Sequence, residues 1–223
     1  MSKKAGIIFF VLFLCGCSSV PFKRVSYVPL ADRDPAKLRE DFARKWPQRF
    51  EVTNSSVFGY RWMKFSSFGP LRVDTLKKSF TVAGLNPLGV KLFELDFANG
   101  TVDARYVFPE LAKHGDFAKA SGEDIKNIYL DCLPPPDSKV IVGQYRIVFR
   151  APVPDGFLDY VFAGEDNLLI EKHFYKNNHK LWSVFYYEYV FRGGKVIPAE
   201  IIFRHHAHHY ILTVKLKEII KIE

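Results

Sequence analysis

Val90-Lys91-Leu92-Phe93-Glu94-Leu95-Asp96-Phe97 alternates along its last five residues, with Phe93, Leu95 and Phe97 on one side and Glu94 and Asp96 on the other. A period of two is the signature of a strand with one face buried and one in water. The same reading extends outward. Phe80 and Val82 share a face in the stretch Ser79 to Leu85, and Asn86-Pro87-Leu88-Gly89 separates the two strands. Asn99-Gly100 then turns the chain into Val102 to Val107. Upstream, Phe58 to Phe68 and Leu71 to Leu76 read as strands divided by Gly69-Pro70, because glycine and proline are the strongest local breakers.

Two helices interrupt this pattern. Asp34 is placed to cap the first, Pro35 suits its first turn, and Lys45 and Pro47 mark its end. Leu38, Phe42 and Trp46 recur at i, i+4 and i+8, so they form one apolar stripe that must lie on something. Ser121-Gly122-Glu123-Asp124 has the form of a capping box for the second. Ile125, Ile128, Tyr129 and Cys132 follow at helical spacing, and Pro134-Pro135-Pro136 stops it. Strands then resume: Val140 to Phe149, Leu158 to Phe162, Leu168 to Phe174, Leu181 to Phe191, Val196 to Phe203 and Tyr210 to Ile222, with Gly193-Gly194 as a hairpin turn.

The expected architecture is therefore mainly β with two or three helices. About eleven antiparallel strands make one curved sheet, an unclosed barrel with a helical lid over an apolar cavity. The residues expected to line it are Phe80, Val82, Phe93, Leu95 and Phe97 on the first strands. Tyr145, Ile147, Phe149, Tyr160 and Phe162 are expected to do so on the later ones.

Composition agrees. The chain has 223 residues, 48% of them hydrophobic, with 21 Phe and 11 Tyr, which is ample for one large core rich in strand-forming side chains. At the start, Lys3 and Lys4 precede an apolar run, Ile7 to Leu14, that ends at Cys15-Gly16-Cys17. About ten apolar residues are too few to span a bilayer core of ~30 Å, so this reads as a secretory signal cut before a cysteine. Leu14-Cys15-Gly16-Cys17 resembles the lipobox of bacterial lipoproteins, which implies a signal peptide over 1–16, a lipidated tether over 17–31 and one domain over 32–223. Loss of Lys3 and Lys4 with the leader lowers the formal charge from +8 to +6, which suits an anionic membrane surface or simple solubility. Nucleic acid is not an expected partner of an exported, tethered chain. With Cys15 removed and Cys17 acylated, Cys132 has no disulfide partner and reads as a small buried apolar group.

Catalytic signatures are absent: there is no Gly-x-Ser-x-Gly, no His-Glu-x-x-His and no phosphate-cradling glycine loop. The cluster His205-His206-Ala207-His208-His209 offers pairs of imidazoles, but no third zinc ligand is evident, so a polar strand end and turn is the reading taken. Neither an enzyme, a metal nor a cofactor is expected. Leu88, on its short Pro-Gly connection, either points outward or folds back to plug the barrel end.

The lipobox-like Leu14-Cys15-Gly16-Cys17 and the loop Asn86-Pro87-Leu88-Gly89 together resemble the LolB family, as do the strand ending Phe93-Glu94-Leu95-Asp96-Phe97 and its Gly-Thr-Val turn. LolB proteins are outer-membrane receptors of the bacterial lipoprotein-sorting system, within the LolA/LolB lipoprotein-localisation superfamily. Pro198-Ala199 and the strand through Leu212, Val214 and Leu216 sit in places similar to that family's. Relatives carry a Trp-x-x-Gly segment where this chain passes from Pro134–Lys139 straight into a strand, which leaves a divergent sister family open.

The resemblance implies an unclosed barrel binding acyl chains, lipidation at Cys17, and a leucine, Leu88, that protrudes to help place cargo in the membrane. Ser18 resembles the signal for release to the outer membrane. Membrane lipids, a lipoprotein or lipid cargo and a periplasmic LolA-like carrier are the implied partners, with the chain acting as a monomer on the periplasmic face of the outer membrane. A structural or interaction lipoprotein with a filled core, a carrier of another lipid and a lipid-modifying enzyme are the competing readings.

Overall fold

The computed structural model describes residues 22–223, apart from 31, 61, 62 and 114 and the side chain of Met63. Cys17 and the leader lie outside the described residues. Twelve strands form one antiparallel sheet: β1 (Arg49–Tyr60), β2 (Met63–Asp74), β3 (Ser79–Leu85), β4 (Lys91–Ala98), β5 (Thr101–Val107), β6 (Lys139–Val142), β7 (Arg146–Val153), β8 (Gly156–Ala163), β9 (Leu168–Lys176), β10 (His179–Arg192), β11 (Lys195–His205) and β12 (Tyr210–Ile222). Their order across the sheet is β5-β4-β3-β2-β1-β12-β11-β10-β9-β8-β7-β6, so the strands run down one half of the chain and back up the other. β5 and β6 are the two edges, and the barrel is unclosed. Among the described residues, three helices accompany the sheet: α1 (Pro35–Lys45), α2 (Pro109–Ala112) and α3 (Phe117–Tyr129). Among the described residues, no helix is long and apolar enough to cross a membrane.

The alternation that defines β4 is realised as expected, with Phe93, Leu95 and Phe97 buried and Glu94 and Asp96 partly exposed. α1 also forms as expected. The Asp34 carboxylate accepts from the Ala36 amide at 2.9 Å, and Leu38, Phe42 and Trp46 are buried. These three fill the concave face over the later strands, where Phe42 meets Phe162 edge-on at 5.1 Å and Phe149 meets Phe162 at 5.6 Å.

Several boundaries differ from expectation. Gly69-Pro70 does not end a strand but lies within β2, and the reversal falls between Tyr60 and Met63. Pro70 is tolerated because pairing with β3 jumps from Phe68–Leu85 to Leu71–Val82, so no ladder bond needs its missing N–H. Gly69 approaches β3 so closely that a Cβ would stand 2.1 Å from the Ala83 carbonyl oxygen. The stretch Val140 to Phe149 is two strands, β6 and β7, joined by a tight turn closed by the Gly143 amide on the Arg146 carbonyl at 2.9 Å. The second major helix starts before Ser121. Asp116 caps α3 by accepting from the Lys119 amide at 3.0 Å, which places Ser121 through Asp124 inside the helix.

Residues 22–30, expected as part of a tether, have no regular structure but are packed on the domain as a strap, first along the convex face of the sheet. There Phe22 is buried against Tyr187 and Ile202 with the Lys215 ammonium over its ring and Val25 packs by Val161 and Ile170, while Leu30 is fully buried in the main core that also holds Leu38 and Phe42. The Leu30 amide donates to the Gln144 carbonyl at 2.8 Å. Apolar side chains on the outer surface of β8–β11 make this possible, because they need a cover that no helix supplies.

The C-terminal end of α3 is fixed by side chains rising from the sheet. Lys172, fully buried, donates from Nζ to the Asn127 carbonyl at 2.7 Å, and the Tyr186 hydroxyl donates to the Ile128 carbonyl at 2.7 Å. These acceptors are among the last carbonyls of the helix, which have no partner within it, and a cation there also suits the helix dipole. Cys132 is buried beside them, its thiol pushed up by burial and donating to the Ile128 carbonyl at 3.1 Å.

Candidate functional site

The two halves of the concave face are filled differently. Over β7–β11, α1 brings Leu38, Phe42 and Trp46, and the space is packed. Over β1–β4 and β12, α3 presents small or polar residues at Ala120, Ser121 and Asp124, and a cavity of about 1390 Å³ remains. That exceeds the roughly 300–1,000 Å³ usual for small-molecule sites. α3 is held at this height by its fit on β5, where a Cβ on Gly122 would stand 2.3 Å from Val102 Cγ2.

The walls are aromatic and aliphatic: Phe58, Phe65, Phe93, Phe117, Trp182, Leu212 and Val214. Polar groups on the sheet side are paired, Ser56 with Ser67 at 2.7 Å and the Asn54 amide with the Tyr129 hydroxyl of α3 at 3.2 Å. One group is unusual. Asp124, in the middle of α3 and only 6% exposed, borders the cavity and receives the Tyr210 hydroxyl on both oxygens, at 2.8 and 2.7 Å. It has no ion pair among the described residues. Burial pushes its carboxyl up to about 7, opposed by the Tyr210 hydrogen bond and assisted by neighbouring Glu123. The Tyr210 ring sits among others, 5.1 Å from Phe58, 5.0 Å from His205 and 6.1 Å from Phe203.

The histidine cluster occupies the end of β11 and the following turn, and His205, His208 and His209 border the cavity. Burial, with His208 and His206 beside it, lowers His205 to about 4. Among the described residues, no three His, Cys, Asp or Glu side chains converge as a metal site would require.

The expected lining residues divide. Val82 and Phe93 border the cavity. Leu95 is fully buried, and Phe80 and Phe97 stack on each other at 5.2 Å within the packed core. Ile147, Phe149, Tyr160 and Phe162 belong to the packed core rather than to a cavity wall, because α1 occupies their side of the sheet. Tyr145 is 43% exposed; it falls in the bend between β6 and β7 rather than on a strand, so strand alternation does not orient it. The aromatic wall at Phe58, Phe65 and Phe117 and the Asp124–Tyr210 pair were not legible as a site. The available signal was a carboxylate at Asp124 one helical turn before the inward-facing Ile128.

Leu88 stands at the tip of the β3–β4 loop and is 87% exposed. The Asn86 carboxamide oxygen accepts from the amides of Leu88 and Val90, each at 2.9 Å, while the Gly89 amide donates to the Asn86 carbonyl at 2.9 Å. Gly89 closes the turn at φ +82°, a conformation that costs a glycine nothing. The loop is thus ordered by its own hydrogen bonds with the leucine outward. Antiparallel pairing puts it at the same end of the sheet as the β11–β12 turn that borders the cavity.

No family model and no curated protein sequence matches this chain. Solved structures do. A LolA superfamily protein from Nitrosomonas europaea superposes with a TM-score of 0.53 at 10% identity, covering 82% of this chain and 91% of that one. An outer membrane lipoprotein-sorting protein domain from Vibrio parahaemolyticus superposes with a TM-score of 0.50 at 11% identity, covering 84% and 90%. At such identities the likeness is one of fold, and the fold of this chain is similar to that of LolA superfamily proteins.

Proposed function

We propose that this chain is a lipid-anchored lipoprotein of the periplasmic face of the outer membrane. In this reading it binds acyl chains in the cavity under α3 and receives or inserts lipoproteins or lipids at the membrane. The observation that carries the reading is the cavity itself, large and walled mainly by apolar side chains, in a fold similar to that of proteins named for lipoprotein sorting. A filled structural core would not leave this volume.

Two further features support a membrane-facing role. Leu88 is presented outward on a rigid loop, and immersing one leucine is worth about 1.5–3 kcal/mol, enough to bias transfer but not to anchor a protein. The course of the strap agrees with an amino-terminal anchor near the Leu88 end. Phe22 packs on Ile202, three residues before β11 ends at His205, while Leu30 lies at the opposite end by Gln144. Cys17 lies five positions before Phe22, a reach of up to about 18 Å. An acyl group on Cys17 can therefore enter the bilayer at the end that carries Leu88.

Replacing Leu88 tests this. Leu88→Glu leaves the melting temperature unchanged, because the side chain touches no core, but a carboxylate resists immersion in lipid. Transfer of bound acylated cargo to liposomes falls at least tenfold while cargo binding is retained. Destabilisation by Leu88→Glu, or undiminished transfer, would contradict the membrane role of the loop.

A further inference from the structure

The cavity is not electrostatically neutral. Although the chain as a whole is formally +8, four carboxylates border the cavity, Glu110, Asp116, Glu123 and Asp124, against two lysines, Lys64 and Lys119. Glu110 and Glu123 are paired with Lys113 and Lys126, and Asp116 caps α3. Asp124 alone is both buried and without a cationic partner among the described residues. A buried carboxylate in that position is costly unless something completes it. Tyr210 supplies a single proton shared between two oxygens at 2.8 and 2.7 Å, whereas a carboxylate offers about four acceptor sites. The surroundings are apolar and aromatic, with the Phe58 ring 5.1 Å from those of both Tyr210 and Phe65 and all three bordering the same cavity.

We infer that Asp124 and the rings around Tyr210 form a subsite for the ammonium head of a cationic amphiphile whose apolar chain occupies the rest of the cavity. This rests on the acyl-cavity reading above and adds the chemistry of the head. An ammonium supplies the positive charge and the hydrogen-bond donors that Asp124 lacks, and its alkyl chain packs among the apolar walls. His205 borders the same cavity, but burial holds it neutral at ordinary pH, so it offers Asp124 no competing cation.

The test uses the full chain carrying Cys17→Ala, titrated calorimetrically with dodecylamine, dodecanol and dodecanoate at about pH 8, where an alkylamine is protonated. Dodecylamine binds at least tenfold tighter than dodecanol, and dodecanoate binds weakest. Asp124→Asn abolishes the preference for dodecylamine over dodecanol. Equal affinity for all three probes in the unsubstituted cavity overturns the ammonium subsite and leaves the acyl cavity standing, as does a preference for dodecanoate. A preference that survives Asp124→Asn also overturns the subsite, and binding of none of the probes overturns both readings. The series on the chain with Asp124 intact is decisive even where the variant does not fold.

Discussion

Leu95→Asp lowers the stability of the domain by about 4 kcal/mol or more. Leu95 is fully buried in β4, with Val82 and Ala104 as its cross-strand partners. Truncating such a leucine alone costs about 2–5 kcal/mol, and the new carboxyl group gains no partner from its apolar neighbours. For a domain of this size each kcal/mol moves the melting temperature by roughly 2–4 °C, so the transition falls by about 8–16 °C or is lost. Thermal unfolding followed by circular dichroism measures it. An unchanged midpoint would mean that Glu94 and Asp96, not Leu95, face inward.

Asp124→Asn makes the fold more stable at alkaline than at acidic pH relative to the parent chain. The parent carboxyl titrates near 7 instead of 3.8 because burial disfavours its charge. A raised pKa contributes stability that is complete below about 3.8 and is lost as pH rises through about 7. Each pH unit between those values is worth about 1.4 kcal/mol, about 4 kcal/mol in all. Glu123 on α3, Tyr210 on β12 and the imidazoles of His205 and His208 share the surroundings. His205 acts with the opposite sign. Its depressed pKa gives stability that is present above 6.5 and lost as pH falls through about 4. The parent profile alone therefore mixes opposed titrations, His206 adding to His205, and the difference between parent and Asp124→Asn isolates the carboxylate. Denaturant midpoints at pH 4, 5, 6, 7 and 8 measure it. A difference that does not vary with pH would mean that Asp124 is ionised throughout.

What was legible from the sequence was local. The alternation at Phe93, Leu95 and Phe97, and the cap Asp34 with Pro35 before the Leu38–Phe42–Trp46 stripe, each carry their structural reason within about a dozen residues. Asn86-Pro87-Leu88-Gly89 likewise contains its own hydrogen-bonding scheme. Local signals misled where a longer-range contact changed their meaning. Gly69-Pro70 has the chemistry of a turn, yet β3 omits the ladder bonds that proline cannot make, and the strand continues. Ser121 through Asp124 has the form of a cap, but Asp116 takes that role, and Asp124 turns inward to Tyr210, 86 residues away. Cavity and core could not be separated by residue type, since Phe93 and Phe149 read alike. The difference is whether α1 or the smaller face of α3 lies above them.

The central claim, an acyl cavity under α3, is tested most directly by what the cavity holds. The full chain with Cys17→Ala, purified without detergent and examined by native mass spectrometry, should carry an acyl amphiphile in stoichiometric amount. Ser121→Trp, which places an indole in the lining from α3, should remove it without loss of fold. A chain that is empty as purified and takes up no acyl amphiphile when one is supplied, or one whose bound lipid is unaffected by Ser121→Trp, would contradict the account.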